Sequence, residues 1–257
     1  MRMPTLYVGH GTPMNAILDN GWSRAFAGLA NEVPKPKTIL SVSGHFYVPG
    51  IFVTDNERPP TIHDFGGFPK ELFEIEYPCP GDPPLAGRVS DMLNGAAQLT
   101  DQWGLDHGTW SVLRHMYPDA DVPVVQLSID QRLSGDVHVA IGRALAPLRD
   151  EGVLIVGSGM SFHNLRVMMR GGSGTEESRA FDAWLGRACE ASPDERDAAL
   201  ARWEDAPSAR FSHPREEHLL PLMVAAGAAA GEPGRRIFED DVMGVRVSAF
   251  ELGGMAA

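Results

Sequence analysis

The stretch TLYVGHGTPMNAI, residues 5–17, sets an apolar run against a histidine held between two glycines. The run climbs from Leu6 to Val8 and stops at Gly9, and His10 follows. Short, near-continuous apolar runs suit strands that are covered on both faces of a sheet. The pattern recurs. Residues 38–42 form a second run that leads into Gly44 and His45, and residues 153–156 form another that leads through GSGMSF to His163. A fourth run, residues 122–127, is bounded by Pro118 and Asp121 before it and Ser128 after it. Between the runs lie helical patterns at 22–29, 84–93, 109–115, 137–148 (interrupted near its end by Pro147), 178–190 and 214–230, the last with Pro214 at a first helical turn. Strands alternating with helices predict one α/β domain over residues 1–257, a mostly parallel central sheet flanked by helices. GVRVSAFE, residues 244–251, alternates and predicts a further strand.

In open parallel sheets, ligands bind beyond the carboxyl ends of the strands. His10, His45 and His163 each stand at such an end, so they are expected to converge on one edge of the sheet, with the neighbouring glycines and serines leaving room for a ligand. His218, in SHPREEHLLPL, is expected within the first two turns of the last helix, beside Glu217. Imidazole from separate segments is a common donor set for zinc and iron. The residue types thus predict a metal site at the carboxyl ends of the strands, held by His10, His45 and one of Glu217 and His218. His163 is then a nearby base or a fourth ligand. His138 reads as a surface residue, His115 as a complement to its helix dipole, and His213 as a helix-cap residue.

Two segments break the α/β rhythm. Residues 56–84 form a long loop rich in proline, glycine and aromatic residues, PPTIHDFGGFPKELFEIEYPCPGDPP, of a kind more often functional than idle. His63 lies in it beside Asp64, and His107 lies in WGLDHGTW; both have the neighbours of pocket walls. His63, Phe65 and Trp110 are the expected substrate-pocket residues. Residues 170–177, RGGSGTEE, read as a surface loop.

The bulk numbers exclude several classes. A chain of 257 residues with 43% hydrophobic content can bury a large core. A net charge of -12 does not suit nucleic acid or an anionic membrane, which call for clustered lysine and arginine. The two cysteines, Cys79 and Cys189, have no CxxC spacing and read as reduced thiols of a cytoplasmic protein. No apolar stretch reaches the roughly 18 residues that a membrane span needs.

Taken together, GHGTPMNAI, SVSGHF, PPTIHDFGGFP, YPCPGDP, DHGTWSVLRHMYPDADVPVVQLSID, GSGMSFHNL and EEHLLPL resemble the class III extradiol ring-cleavage dioxygenases, and among them the 4,5-DOPA extradiol dioxygenase type. The blocks run in order from residue 6 to about 224. The resemblance implies a non-haem Fe(II) enzyme that opens a catecholic small molecule with O₂. It implies His10 and His45 as metal ligands, His163 as the acid/base group and His107 as a histidine facing substrate and oxygen. It implies His218 as third ligand, where the wider class has a carboxylate, with Glu217 the alternative. Zn(II) can occupy such a donor set as well. Two other functions share these residues: a zinc hydrolase, which needs no O₂, and a non-catalytic ligand- or peptide-binding protein on the same scaffold.

Overall fold

The apolar runs lie side by side in the computed structural model, which describes residues 2–170 and 174–254. Among the described residues eight strands form one sheet: β1 (Thr5–Gly9), β2 (Thr38–Val48), β3 (Ile51–Thr54), β4 (Ala97–Thr100), β5 (Val124–Asp130), β6 (Val153–Gly159), β7 (Gly234–Val242) and β8 (Val245–Leu252). Their order is β4-β3-β5-β2-β6-β1-β8-β7. The central block β5-β2-β6-β1 is parallel throughout, and β8 closes it as an antiparallel neighbour of β1. The helices are α1 (Gly21–Glu32), α2 (Pro83–Met92), α3 (His107–Met116), α4 (Gly135–Leu145), α5 (Leu165–Met168), α6 (Thr175–Glu190), α7 (Pro193–Ala201), α8 (Ala209–Ser212) and α9 (Leu220–Ala228).

The strand period of two explains the layers. Leu6, Val8, Leu154 and Val156 point into a core shared with Trp22 and Phe26 of α1 and with Trp110 and Leu113 of α3. Tyr7, Leu40, Val42 and Ile155 point the other way, to Val139 of α4, Phe181 of α6 and Leu222 of α9. Strands buried on both faces need continuous apolar runs, which is why these four read clearly in the sequence.

Several expectations change. The second strand does not end before His45 but runs on to Val48, and its ladder with β5 shifts register between Val42 and Tyr47. His45 therefore sits in a bulge, a device that re-aims side chains beside active sites. The last helix begins at Leu220, not 214, with Pro221 in its first turn. The His218 carbonyl is taken by Tyr7 Oη at 2.8 Å and Met160 N–H at 3.0 Å, which diverts it from pairing along the helix. His138 is not at the surface: it is buried and bonds the Ser134 carbonyl at 2.8 Å. His115 bonds the Asn15 carbonyl at 2.8 Å. His213 is fully buried at the C-terminal cap of α8. Part of the expected loop at 170–177 lies outside the described residues, and α6 already begins at Thr175. Cys79 and Cys189 are free and buried. Among the described residues no helix is long and apolar enough to cross a membrane.

Candidate active site

His10 follows β1, His45 projects from the bulge of β2, His163 follows β6, and His218 precedes α9. The structure brings all four together. His45 Nε2 stands 3.1 Å from His10 Nε2 and 3.3 Å from His218 Nε2. His163 stacks on His218 with ring centroids 3.5 Å apart, and His107, at the first turn of α3, has its ring 4.0 Å from that of His45.

Glycines permit this convergence, though not by clearing space for a ligand, as expected from the sequence. A Cβ at Gly44 would lie 2.8 Å from the Glu217 carbonyl oxygen, and one at Gly159 would lie 2.0 Å from that of His218. The missing side chains let the 217–218 backbone cross the strand ends. At Gly9 the space is likewise filled by protein, the Trp22 ring at 2.8 Å from such a Cβ.

The other nitrogen of each ring fixes its tautomer. Ser158 Oγ donates to the Gly108 carbonyl, so it accepts from His10 Nδ1–H at 3.1 Å. His45 Nδ1 donates to Asp64 Oδ2 at 3.1 Å, and His218 Nδ1 to Glu217 Oε1 at 3.3 Å. All three Nε2 lone pairs then face one another. Such a cluster calls for a proton or a cation at its centre. Metal–imidazole bonds of about 2.0–2.1 Å set neighbouring donor nitrogens roughly 2.9–3.4 Å apart, and the separations of His45 from His10 and from His218, 3.1 and 3.3 Å, fall in that range, so the three form a group that could hold a metal ion.

Two carboxylates organise the histidines. Asp64 Oδ1 accepts from both the backbone N–H and Nδ1 of His107, each at 2.9 Å, while Oδ2 takes His45. Burial opposes its charge, yet these bonds from His107 and His45 hold its pKa far below the usual carboxylate range. Glu217 Oε1 receives Nδ1 of His163 and of His218, each at 3.3 Å. Burial opposes its charge too, and the two histidines overcome it. Burial also keeps His10 and His218 neutral, pulling both well below the ordinary histidine value. Burial pulls on His45 as well, but the bond to Asp64, followed by the fields of Asp106 and Asp64, leaves it raised. Asp64, Ser158 and the bridging role of Glu217 were missed in the sequence. The available signal for Asp64 was its position in HDFGG, beside a histidine in an aromatic, glycine-rich loop.

The histidines form the floor of a cavity of about 430 Å³. Phe65 lines it together with Phe68 and Asn15. His63 and Trp110 do not line it. Trp110 is fully buried and donates from Nε1 to the Ile62 carbonyl at 2.9 Å, and His63 bonds the Ile75 carbonyl at 3.0 Å. Both rings pack behind Phe65, at 6.3 and 5.8 Å between centroids. Glu217 stands outside the His10–His45–His218 group and forms one of its own with His163 and His218.

An α/β sheet with a histidine-rich, metal-competent pocket at its carboxyl edge defines the class of protein. Residues 4–249 match the family described as the catalytic LigB subunit of aromatic ring-opening dioxygenase, and the chain belongs to that family. It is 43% identical over 242 residues to 4,5-DOPA dioxygenase extradiol of Escherichia coli K12, covering 90% of this chain and 87% of that one. It is 42% identical over 236 residues to 4,5-DOPA dioxygenase extradiol of Beta vulgaris, covering 88% and 86%. A crystal structure of an uncharacterized protein from Escherichia coli K12 superposes with a TM-score of 0.84 at 36% identity, over 98% of this chain and 100% of that one.

Proposed function

We propose that the chain is a non-haem Fe(II) extradiol dioxygenase that opens the ring of a catechol with O₂, on a metal held by His10, His45 and His218. The observation that carries this reading is the convergence of three Nε2 lone pairs on the floor of an apolar cavity, each ring tied through its other nitrogen. Membership of a ring-opening family and the DOPA dioxygenase names of its relatives support the catechol.

Held by His10, His45 and His218, a metal would supply Lewis-acid and redox chemistry, lowering the pKa of a catechol hydroxyl and making the reaction with O₂ accessible. The protein's own groups handle orientation and protons. His163 lines the cavity with Nδ1 engaged by Glu217, so Nε2 is free to take a proton from the substrate hydroxyl and return one to the leaving oxygen. Glu217 fixes that tautomer and stabilises the imidazolium that forms. His107 is held at Nδ1 by Asp64, which leaves Nε2 to hydrogen-bond an oxygen that gains charge. Phe65 and Phe68 keep water from the ring face. His218 is favoured over Glu217 as third ligand because its Nε2 joins the triad, while Glu217 Oε1 faces two Nδ1 groups.

The protein loaded with Fe(II) under anaerobic conditions, then exposed to air with a panel of catechols, is expected to form yellow ring-opened semialdehyde. Ester or amide hydrolysis by the Zn(II)-loaded protein without oxygen, with no ring opening by the iron form, would overturn the assignment.

A further inference from the structure

We infer that Asn15 is a substrate-binding residue, its side-chain amide donating a hydrogen bond to a carboxylate on the substituent of the catechol. The inference rests on the ring-opening reading above and deepens it. The direction of the amide follows from its neighbours. Asn20 caps α1, its Oδ1 accepting from the N–H groups of Trp22 and Ser23 at 2.9 and 3.0 Å. The Nδ2 of Asn20 is therefore the donor to Asn15 Oδ1, at 2.9 Å. That makes Asn15 Nδ2 a donor in turn, and it gives one hydrogen to the His10 carbonyl at 3.0 Å. An amide nitrogen carries two hydrogens. Among the described residues the second has no acceptor, although Asn15 is only 4% exposed.

The cavity is where that hydrogen can be used. Asn15 lines it, as do Gly11 and Thr12. A Cβ at Gly11 would lie 2.5 Å from Asn15 Nδ2, so the glycine leaves that nitrogen uncovered. Asn15 bonds the backbone carbonyl of His10, whereas the His10 ring turns to His45. The amide therefore serves the far part of a substrate rather than its catechol oxygens. Thr12, in the same turn, is exposed at the rim; its Oγ accepts from Met14 N–H at 3.4 Å and keeps its own hydrogen to donate. Between this polar corner and the histidine floor the walls are apolar, with Trp22, Phe65, Phe68 and Met160. Among the described residues no lysine or arginine lines the cavity. A catechol seated on the histidines lays its substituent along these walls and ends it at two neutral donors beside solvent. Bonds to an ionised acceptor are the stronger ones, and water at the rim covers the carboxylate's other lone pairs, which limits the cost of burying it.

The test titrates Zn(II)-loaded protein by calorimetry with catechol, 4-propylcatechol, 3,4-dihydroxyphenylpropanoate and DOPA, and assays the Fe(II) form for kcat/KM on the same four compounds. Asn15→Asp keeps the acceptor that Asn20 needs and loses both donors. It is expected to weaken the two carboxylated compounds at least about tenfold relative to catechol and 4-propylcatechol, the scale of a lost bond to a charged group. Thr12→Val, which leaves the bond to the His10 carbonyl in place, is expected to show the same selectivity at severalfold. Arg166→Ala, a change outside the cavity lining, is expected to leave all four unchanged. Equal losses on all four compounds in Asn15→Asp would reduce Asn15 to a support for His10 and overturn the inference. So would the absence of selective loss in Thr12→Val, or a selective loss confined to Arg166→Ala. Opening of unsubstituted catechol by the Fe(II) form judges the ring-cleavage reading separately: if no catechol is opened, that reading falls, while the Zn(II) titrations still decide whether Asn15 holds a carboxylate.

Discussion

His163 has its Nδ1 against Glu217 and its face against His218, yet it lies outside the three-nitrogen triad. His163→Ala is therefore expected to keep its metal, measured by elemental analysis, while kcat falls at least about 100-fold, the scale of a lost acid/base group. Loss of metal instead would make His163 a ligand. Asp64→Asn removes the acceptor shared by His45 and His107; a decrease in metal affinity of about 10- to 100-fold is expected by competition with a chelator. At the third ligand the two neighbours separate cleanly. His218→Ala should abolish stoichiometric metal binding, and Glu217→Gln should retain it with reduced turnover; the reverse pattern would make Glu217 the ligand.

Each element contributes one group, and the fit of one segment governs the whole site. Gly159 admits the carbonyl of His218 against β6. Gly159→Ala is expected to push that segment off the sheet, lowering stability by about 1–3 kcal/mol in denaturant titration and weakening metal binding in parallel. Unchanged metal affinity would show that the crossing of 217–218 does not position His218. The same scale explains what could be read from the sequence. β1, β2, β5 and β6 are buried on both faces, so their apolar runs stand out; β7, with GRRIFEDDV at the sheet's edge, mixes charge with apolar residues and does not. The four strand-end and loop histidines were legible because glycine flanks or chain order marked them. The length of β2 was not, because its bulge depends on pairing with β5 rather than on local pattern. The role of Asp64 is not legible beside His63, because its partners, His45 and His107, are 19 and 43 residues away and meet it only in the fold. His63 and Trp110 have the aromatic neighbours of a pocket wall, but ring packing behind Phe65 uses the same residue types.

Across the whole molecule, buried neutral histidines tie stability to pH. His213 is fully buried, donates from Nε2 to the Ser161 carbonyl at 3.0 Å, and has no partner at Nδ1 among the described residues, and burial lowers its pKa to about 3. His138 is likewise lowered by burial, its Nε2 without a partner among the described residues. Above the unfolded value of about 6.5 both states are neutral and the contribution to stability is complete. As pH falls from there toward 3, the unfolded chain takes up a proton at His213 that the folded one refuses, and stability drops by about 1 kcal/mol per pH unit; His138 acts in the same direction. Thermal melts at pH 7 and 5 should show a falling Tm, less steep in His213→Gln; an equal slope would remove His213 from the account. The central claim concerns oxygen, and it is tested most directly by stoichiometry. In protein loaded with Fe(II) under anaerobic conditions, the account predicts one molecule of O₂ consumed per catechol ring opened, with no hydrogen peroxide released. Oxygen uptake that yields quinone and peroxide without ring opening, or turnover that proceeds without oxygen, would contradict it.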